Sequence, residues 1–202
     1  MKVEVRSDHV LLDGYVNAVG RDSKAIRSPQ GAFVEQVMPG TFNRALSKGN
    51  TVALMLNHKR ALGSTADGTL ELNEDNIGLR AKAKVTDAAV MEKARNKKLR
   101  GWSFGFARPT DEWEERADAP PRRYLKDFDL REVTIVDDTK TPAYIATSIE
   151  MRDEEGLIEY RVADDAMEYD IEEQEKKPEE RKEPKTNAKT TLAGYRASRL
   201  KL

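Results

Sequence analysis

Cysteine is absent from all 202 residues, which excludes disulfides, thiolate nucleophiles and cysteine-ligated metals. Histidine is scarce: His9 and His58 are the only two. Two isolated imidazoles without cysteine do not make a metal site, so neither a metal nor another cofactor is expected. Long apolar runs are missing as well. No stretch approaches the roughly 18 residues of a membrane span, and the opening MKVEVRSD lacks the basic-then-apolar pattern of a secretory signal. Neither sign of charge dominates, with 35 basic against 36 acidic side chains. No overall field therefore points to nucleic acid or to an anionic membrane as a partner. Hydrophobic residues make up 38% of the chain and charged residues 35%, so a core must be concentrated in part of it. These absences leave a soluble cytoplasmic protein as the expectation, with room for one medium domain and a tail, or at most two small domains.

What is present divides near residue 150. Residues 1–150 read as a mostly β domain. His9 to Gly20 has the look of strands joined by a glycine turn, and Phe33 to Val37 alternates with period two before stopping at Pro39-Gly40. Thr41 is placed as the N-cap of a short helix, Phe42 to Leu46. Thr51 to Leu56 is a buried strand, and Thr69 to Asp75 with Leu79 to Val85 forms a hairpin or strand pair. Asp87 caps an amphipathic helix that extends to Leu99, with Val90, Met91, Ala94 and Leu99 near helical spacing. Strands follow around Ser103–Ala107 and Tyr124–Val136, with Pro109–Arg123 between them as a loop and Arg122-Arg123 as a solvated basic pair. Strands with a few inserted helices, rather than regular βαβ alternation, predict an α+β domain centred on a β-barrel. Residues 151–202 carry 25 charged side chains and no Trp or Phe. Glu172 to Lys185 in particular cannot bury enough apolar area to offset its ordering entropy, and reads as a solvated helix or a disordered tail.

Two segments carry chemistry. Leu54-Met55-Leu56-Asn57-His58 places a histidine directly after an apolar run, and Gly101-Trp102-Ser103-Phe104-Gly105-Phe106 places a serine among glycines and aromatics. A serine hydroxyl attacks a carbonyl when a base takes its proton, and imidazole is the usual base. Strand alternation sends Trp102 and Phe104 into the core, opposite Ser103. The order His then Ser, with no later histidine, excludes an α/β-hydrolase despite the local Gly-x-Ser-x-Gly match. His9, in a polar context, is read as an exposed side chain.

The ordered set of segments resembles the prohead (head-maturation) proteases of tailed bacteriophages, serine peptidases distantly related to the herpesvirus assemblins. The resemblance covers roughly residues 10–150. It includes Gly14-Tyr15, Val37-Met38-Pro39-Gly40-Thr41-Phe42, Leu54 to His58 followed by Leu62-Gly63-Ser64, and Glu74 to Leu79. It continues through Trp102 to Phe106, then Leu130-Arg131-Glu132-Val133-Thr134-Ile135-Val136 with Pro142-Ala143-Tyr144 behind. Lys59 and Ser64 depart from the family pattern, where an acidic residue and an arginine are frequent. The resemblance implies that His58 is the general base and Ser103 the nucleophile. Assemblins use a second histidine, which is missing after Ser103, so an acid must orient His58 if a triad exists. Glu132 is the first choice, since a carboxylate on a largely apolar strand needs a partner. That partner is His58 or an arginine such as Arg80 or Arg108; Asp129 and Asp137 stand in reserve. Backbone N–H groups near Gly105 are one source for an oxyanion hole.

The implied function is a serine endopeptidase of capsid maturation, working inside the viral procapsid in the host cytoplasm. Its implied substrates are the major capsid protein, the scaffold or its scaffolding segment, and the chain itself in autoproteolysis; a homo-oligomer is compatible with this. Two other readings differ in class: a non-enzymatic capsid assembly scaffold on the same fold, and an unrelated β-rich binding domain whose His and Ser are structural.

Overall fold

The computed structural model describes residues 1–139, 150–153, 156–162 and 167–172. Its chain is mostly β, with two short helices, and its strands form two open sheets rather than a closed barrel. The first sheet has five strands. β1 (Lys2–Val5) pairs antiparallel with β2 (Val10–Ala18), which pairs with β8 (Gly78–Val85), which pairs with β7 (Leu70–Glu74). The expected pairing of the last two strands is present. The segment from His9 to Gly20 is one strand with a bulge near Tyr15 and Asn17, not two strands and a turn. Gly14 sits where a Cβ would come within 2.9 Å of the Met1 backbone and 3.2 Å of Trp102 Nε1, so its role is close packing.

The second sheet is organised by a long hairpin, β9 (Leu99–Glu114) with β10 (Arg122–Asp137). The stretch expected as a loop, residues 109–123, is largely strand, and Arg122 and Arg123 lie on β10 rather than in a solvated connection. On its other edge β10 takes two parallel partners: β4 (Gly31–Val37) along its first half and β5 (Ala53–Leu56) along its second. β3 (Ile26–Ser28) extends the sheet beyond β4, and β6 (Arg60–Ser64) turns back antiparallel along β5. On the free edge of β9 lies β12 (Gly156–Val162), itself paired with β11 (Glu150–Asp153). β13 (Glu168–Ile171) adds in parallel to β1. Strand pairing therefore continues past the composition change at residue 150. The charged run expected as a solvated helix or disordered tail lies, beyond Glu172, outside the described residues, as does Pro142-Ala143-Tyr144.

The helices follow their local chemistry. In α2 (Ala88–Arg95) the Asp87 side chain accepts from the Ala89 and Val90 N–H groups, and Val90, Met91 and Ala94 are buried as the spacing predicts, but the helix stops at Arg95 and Leu99, expected within it, opens β9. In α1 (Thr41–Ser47) the N-cap is Gly40, left-handed at φ 82°, and Thr41 is already helical. The Thr41 hydroxyl instead donates to the Leu125 and Lys126 carbonyls. The core fills with Trp102, Phe104 and Phe106 from β9 and Phe128, Leu130, Val133 and Ile135 from β10. Phe42 of α1 closes it, edge-on to Phe104 and Phe128 at 5.4 and 5.3 Å.

Candidate active site

Three adjacent strands bring the sequence-predicted residues together. Ser103 on β9 pairs in register with Thr134 on β10, and Gly105 pairs with Glu132. Paired residues in a ladder share a face, so Ser103, Gly105, Thr134 and Glu132 stand on one side of the sheet. Trp102 and Phe104 are buried in the core on the other. β5 runs parallel to the same stretch of β10, with Met55 beside Thr134 and Leu56 beside Ile135. Its end carries His58 over that face.

The turn that delivers His58 is tight. Lys59 N–H donates to Leu56 O at 3.1 Å, and the two residues between, Asn57 and His58, are both left-handed at φ 53° and 60°. Consecutive positive φ values are the mark of the mirror-image turns that close hairpins, where Asn-Gly is the favoured pair. Asn57 suits the first position; His58 holds the second at a cost in backbone strain, as functional residues often do. Asn57 locks the turn to β10: its N–H donates to Ile135 O at 2.9 Å, and its Oδ1 accepts from Asp137 N–H at 3.1 Å.

The His58 ring meets Glu132. Nδ1 lies 2.5 Å from Glu132 Oε1, with both side chains almost fully covered. Thr134 closes a small ring of bonds: its Oγ1 accepts from His58 N–H and donates to Glu132 Oε1, each at 3.3 Å. A carboxylate on Nδ1 selects the tautomer whose Nε2 carries a lone pair. That Nε2 is buried and makes no hydrogen bond among the described residues. Ser103 is fully buried, and its hydroxyl donates to the Arg161 carbonyl of β12 at 2.6 Å. Beside it, Tyr160 packs its ring against His58, centroids 4.2 Å apart. Gly105 makes room for this: a Cβ there would come within 2.7 Å of the Tyr160 ring and 2.9 Å of Glu132 Cγ.

The other candidates have different partners. Asp129 bonds Lys48 at 2.9 Å and faces Arg108 at 3.4 Å. Asp137 is buried, which opposes its ionisation, yet bonds from Thr139, Lys93 and Asn57 outweigh this and hold its carboxyl at about 2. Arg80 forms a two-bond pair with Asp13, so neither it nor Arg108 takes up Glu132. His9 is half-buried rather than exposed, and bonds Asp8 at 2.6 Å.

Sequence reasoning missed Thr134, Asn57, Tyr160 and a buried charge cluster. Asn57 was visible in the sequence as a turn residue before His58. Arg123 and Glu35, both buried, had no sequence signal beyond being charges on alternating strands. No group of three or more His, Cys, Asp or Glu residues able to hold a metal ion occurs among the described residues. No described helix is long and apolar enough to cross a membrane. The arrangement puts a serine on the same sheet face as the carboxylate that holds the imidazole Nδ1, the set of groups that acyl transfer uses.

Neither a curated protein nor a solved structure matches the chain at a significant level. The profile of the caudovirus prohead serine protease does match it, over residues 1–159, a span that includes His58, Ser103 and Glu132 but ends within β12, before Tyr160 and Arg161. On that match the chain belongs to the caudovirus prohead serine protease family, the serine proteases of phage capsid maturation.

Proposed function

We propose that the chain is an endopeptidase in which Ser103 is the nucleophile, His58 the general base and Glu132 the group that orients the imidazole. The observation that carries this reading is the contact between His58 Nδ1 and Glu132 Oε1, which leaves Nε2 free on the face that bears Ser103. Nε2 takes the hydroxyl proton as Ser103 Oγ bonds to the scissile carbonyl carbon. The same proton passes to the leaving amine as the C–N bond breaks. Water then attacks the acyl-enzyme with His58 again as base, releasing the new carboxyl terminus and restoring the hydroxyl. In the arrangement described, the hydroxyl donates to Arg161 O, so activation requires it to leave that carbonyl and turn to Nε2.

The substrates we assign are the major capsid protein, its scaffolding segment or a separate scaffold, and the chain's own charged C-terminal segment. The place is the interior of the procapsid in the host cytoplasm. A segment as charged as residues 173–202 offers few residues for a buried core and suits a detachable role.

Intact-mass spectrometry of wild type and Ser103→Ala, expressed identically and incubated at high concentration with capsid protein, tests the reading. Wild type should give discrete cleavage products, and Ser103→Ala should give none. Glu132→Gln should slow product formation roughly 10³- to 10⁴-fold, as loss of the orienting carboxylate does in serine proteases. Equal shortening of wild type and Ser103→Ala would overturn the assignment.

A further inference from the structure

β12 lies against the one strand that carries Ser103, and it does so as a substrate would. It pairs antiparallel with β9, Tyr160 opposite Gly105, Arg161 opposite Phe104 and Val162 opposite Ser103. This presents the Arg161 carbonyl to the Ser103 hydroxyl at 2.6 Å. An extended segment added to a sheet edge is a general mode of peptide recognition: backbone bonds supply affinity and alternate side chains supply selectivity. The side chains of β12 alternate in this way. Tyr160 packs on the His58 ring, while Glu159 and Arg161, in register with Phe106 and Phe104, belong to the opposite face.

On that opposite face Glu159 and Arg161 enter a built, buried cluster. Arg161 forks onto Glu35, Nε to Oε1 and Nη2 to Oε2, both at 2.7 Å. Arg123 forks onto Glu159, at 2.6 and 3.0 Å. Cross-contacts close the square: Arg161 to Glu159 at 2.6 Å and Arg123 to Glu35 at 3.2 Å. Asp111 holds the Arg123 Nε at 2.5 Å, and the Arg161 guanidinium lies over the Phe106 ring at 5.2 Å. All four corners are buried. Burial disfavours the Glu159 charge, but Arg123 and Arg161 more than offset it and keep the carboxyl below its usual range. Two corners, Glu35 and Arg123, belong to the body of the sheet on β4 and β10; the other two arrive with β12. Without β12, two opposite charges would stand one and two strands in from the free edge, Arg123 on β10 and Glu35 on β4, to receive an acidic and a basic side chain. Forked arginine–carboxylate pairs of this kind are geometrically selective, not merely attractive.

We propose that the β9 edge beside Ser103 is the slot for the substrate strand, with β12 as its internal occupant, and that Glu35 and Arg123 set its specificity. Glu35 reads a basic side chain on the residue whose carbonyl meets Ser103; Arg123 reads an acidic one two residues before it. The inference rests on the protease reading above, and its test separates the two. A full-length Glu159→Ala/Arg161→Ala variant releases the internal strand while leaving His58, Ser103 and Glu132 untouched. It is offered two labelled peptides: one with the sequence Leu-Ile-Glu-Tyr-Arg-Val inside neutral flanks, and one with Glu and Arg exchanged. Hydrolysis is followed in this variant, and binding by fluorescence anisotropy after adding Ser103→Ala.

The expected result is a preference of at least about tenfold for the Glu-x-Arg peptide in both readouts. Exchanging the body charges as well, Glu35→Arg with Arg123→Glu, should invert that preference toward the Arg-x-Glu peptide. Circular dichroism of each variant checks the fold. If an exchanged body does not fold alone, the fully exchanged chain, with Glu159→Arg and Arg161→Glu added, restores the square in reverse and should regain its melting temperature. Selective binding without any Ser103-dependent hydrolysis would support the slot and count against the protease reading. Hydrolysis or binding indifferent to the charges, or a preference that the exchange does not invert, would overturn the slot.

Discussion

His58 shows how much a single position can be asked to do. Its ring bonds Glu132 through Nδ1 and leaves Nε2 without a partner among the described residues, as the proposed role of base requires, and its backbone holds φ 60°. A left-handed conformation costs a residue with a Cβ about 1 kcal/mol, and glycine almost nothing. Replacing His58 therefore has two separable effects. His58→Ala and His58→Gly should both abolish Ser103-dependent hydrolysis and both leave Glu132 without its imidazole. The glycine variant should nonetheless unfold about 1 kcal/mol later than the alanine variant in urea, because only it relaxes the turn. Equal stabilities would mean that the turn carries no strain. At this scale the sequence was readable where a residue type is rare and chemically committed. His58, one of two histidines, stood out in this way; Ser103, a common residue type, was singled out by its glycine- and aromatic-flanked segment and its resemblance to the family motif, and Glu132 by being a carboxylate among apolar neighbours. Thr134 did not, since a threonine on a buried strand reads as packing; only its position between the His58 N–H and Glu132 gives it a role.

Elements were legible where their determinants are local. Asp87 caps α2 through N–H groups two and three residues on, and the β7–β8 pair alternates cleanly on both arms. They were illegible where the determinant comes from elsewhere in the chain. The β9–β10 ribbon looked like a loop because its far half is charged, yet those charges pair across the strands. Arg122 bonds Glu114 at 2.9 Å, Tyr124 donates to Glu114 at 2.6 Å, and Lys126 pairs Glu112. Cross-strand pairs stabilise a solvated ribbon that has no apolar alternation to announce it. The start of α1 is similar. Thr41 has the composition of a cap, but the orphan N–H groups of Gly40 and Asn43 are taken by Glu74, at 2.6 and 2.7 Å, from β7. Gly40 is left to make the left-handed step, with the Arg44 guanidinium 3.0 Å from where a Cβ would sit. Gly40→Ala should accordingly destabilise the chain by about 1 kcal/mol. Because α1 closes the core through Phe42, the loss should appear in global unfolding rather than as local fraying. Amide exchange faster only in residues 41–47, with an unchanged melting temperature, would contradict this.

Over the whole molecule, composition placed a boundary near residue 150, and the strands do not respect it. β12 completes the second sheet beside Ser103 and β13 completes the first beside β1. Two short strands from one charged stretch thus cover one edge of each sheet. Composition could not show this, because Glu159 and Arg161 count as surface residues until Glu35 and Arg123 are seen opposite them. The division of the chain into a protease domain and a tail therefore becomes a question of where it can be cut. A chain ending at residue 172 keeps both strands and should melt with the full-length protein. A chain ending at residue 150 loses the forked Arg161–Glu35 and Arg123–Glu159 pairs, leaving Glu35 and Arg123 with each other and Asp111, and bares the edge of β9. Breaking a buried ion pair costs a few kcal/mol, and in a chain of this length each kcal/mol lowers the melting temperature by about 2–4 °C. The shorter fragment should melt roughly 10 °C below the longer one and should self-associate through its exposed edge, visible in light scattering. It should also expose the Ser103 edge to peptide, so that stability and access change in opposite directions on one cut. Were the 150-residue fragment as stable and as monomeric as the 172-residue one, β12 and β13 would be passengers, and the boundary read from composition would be the physical one.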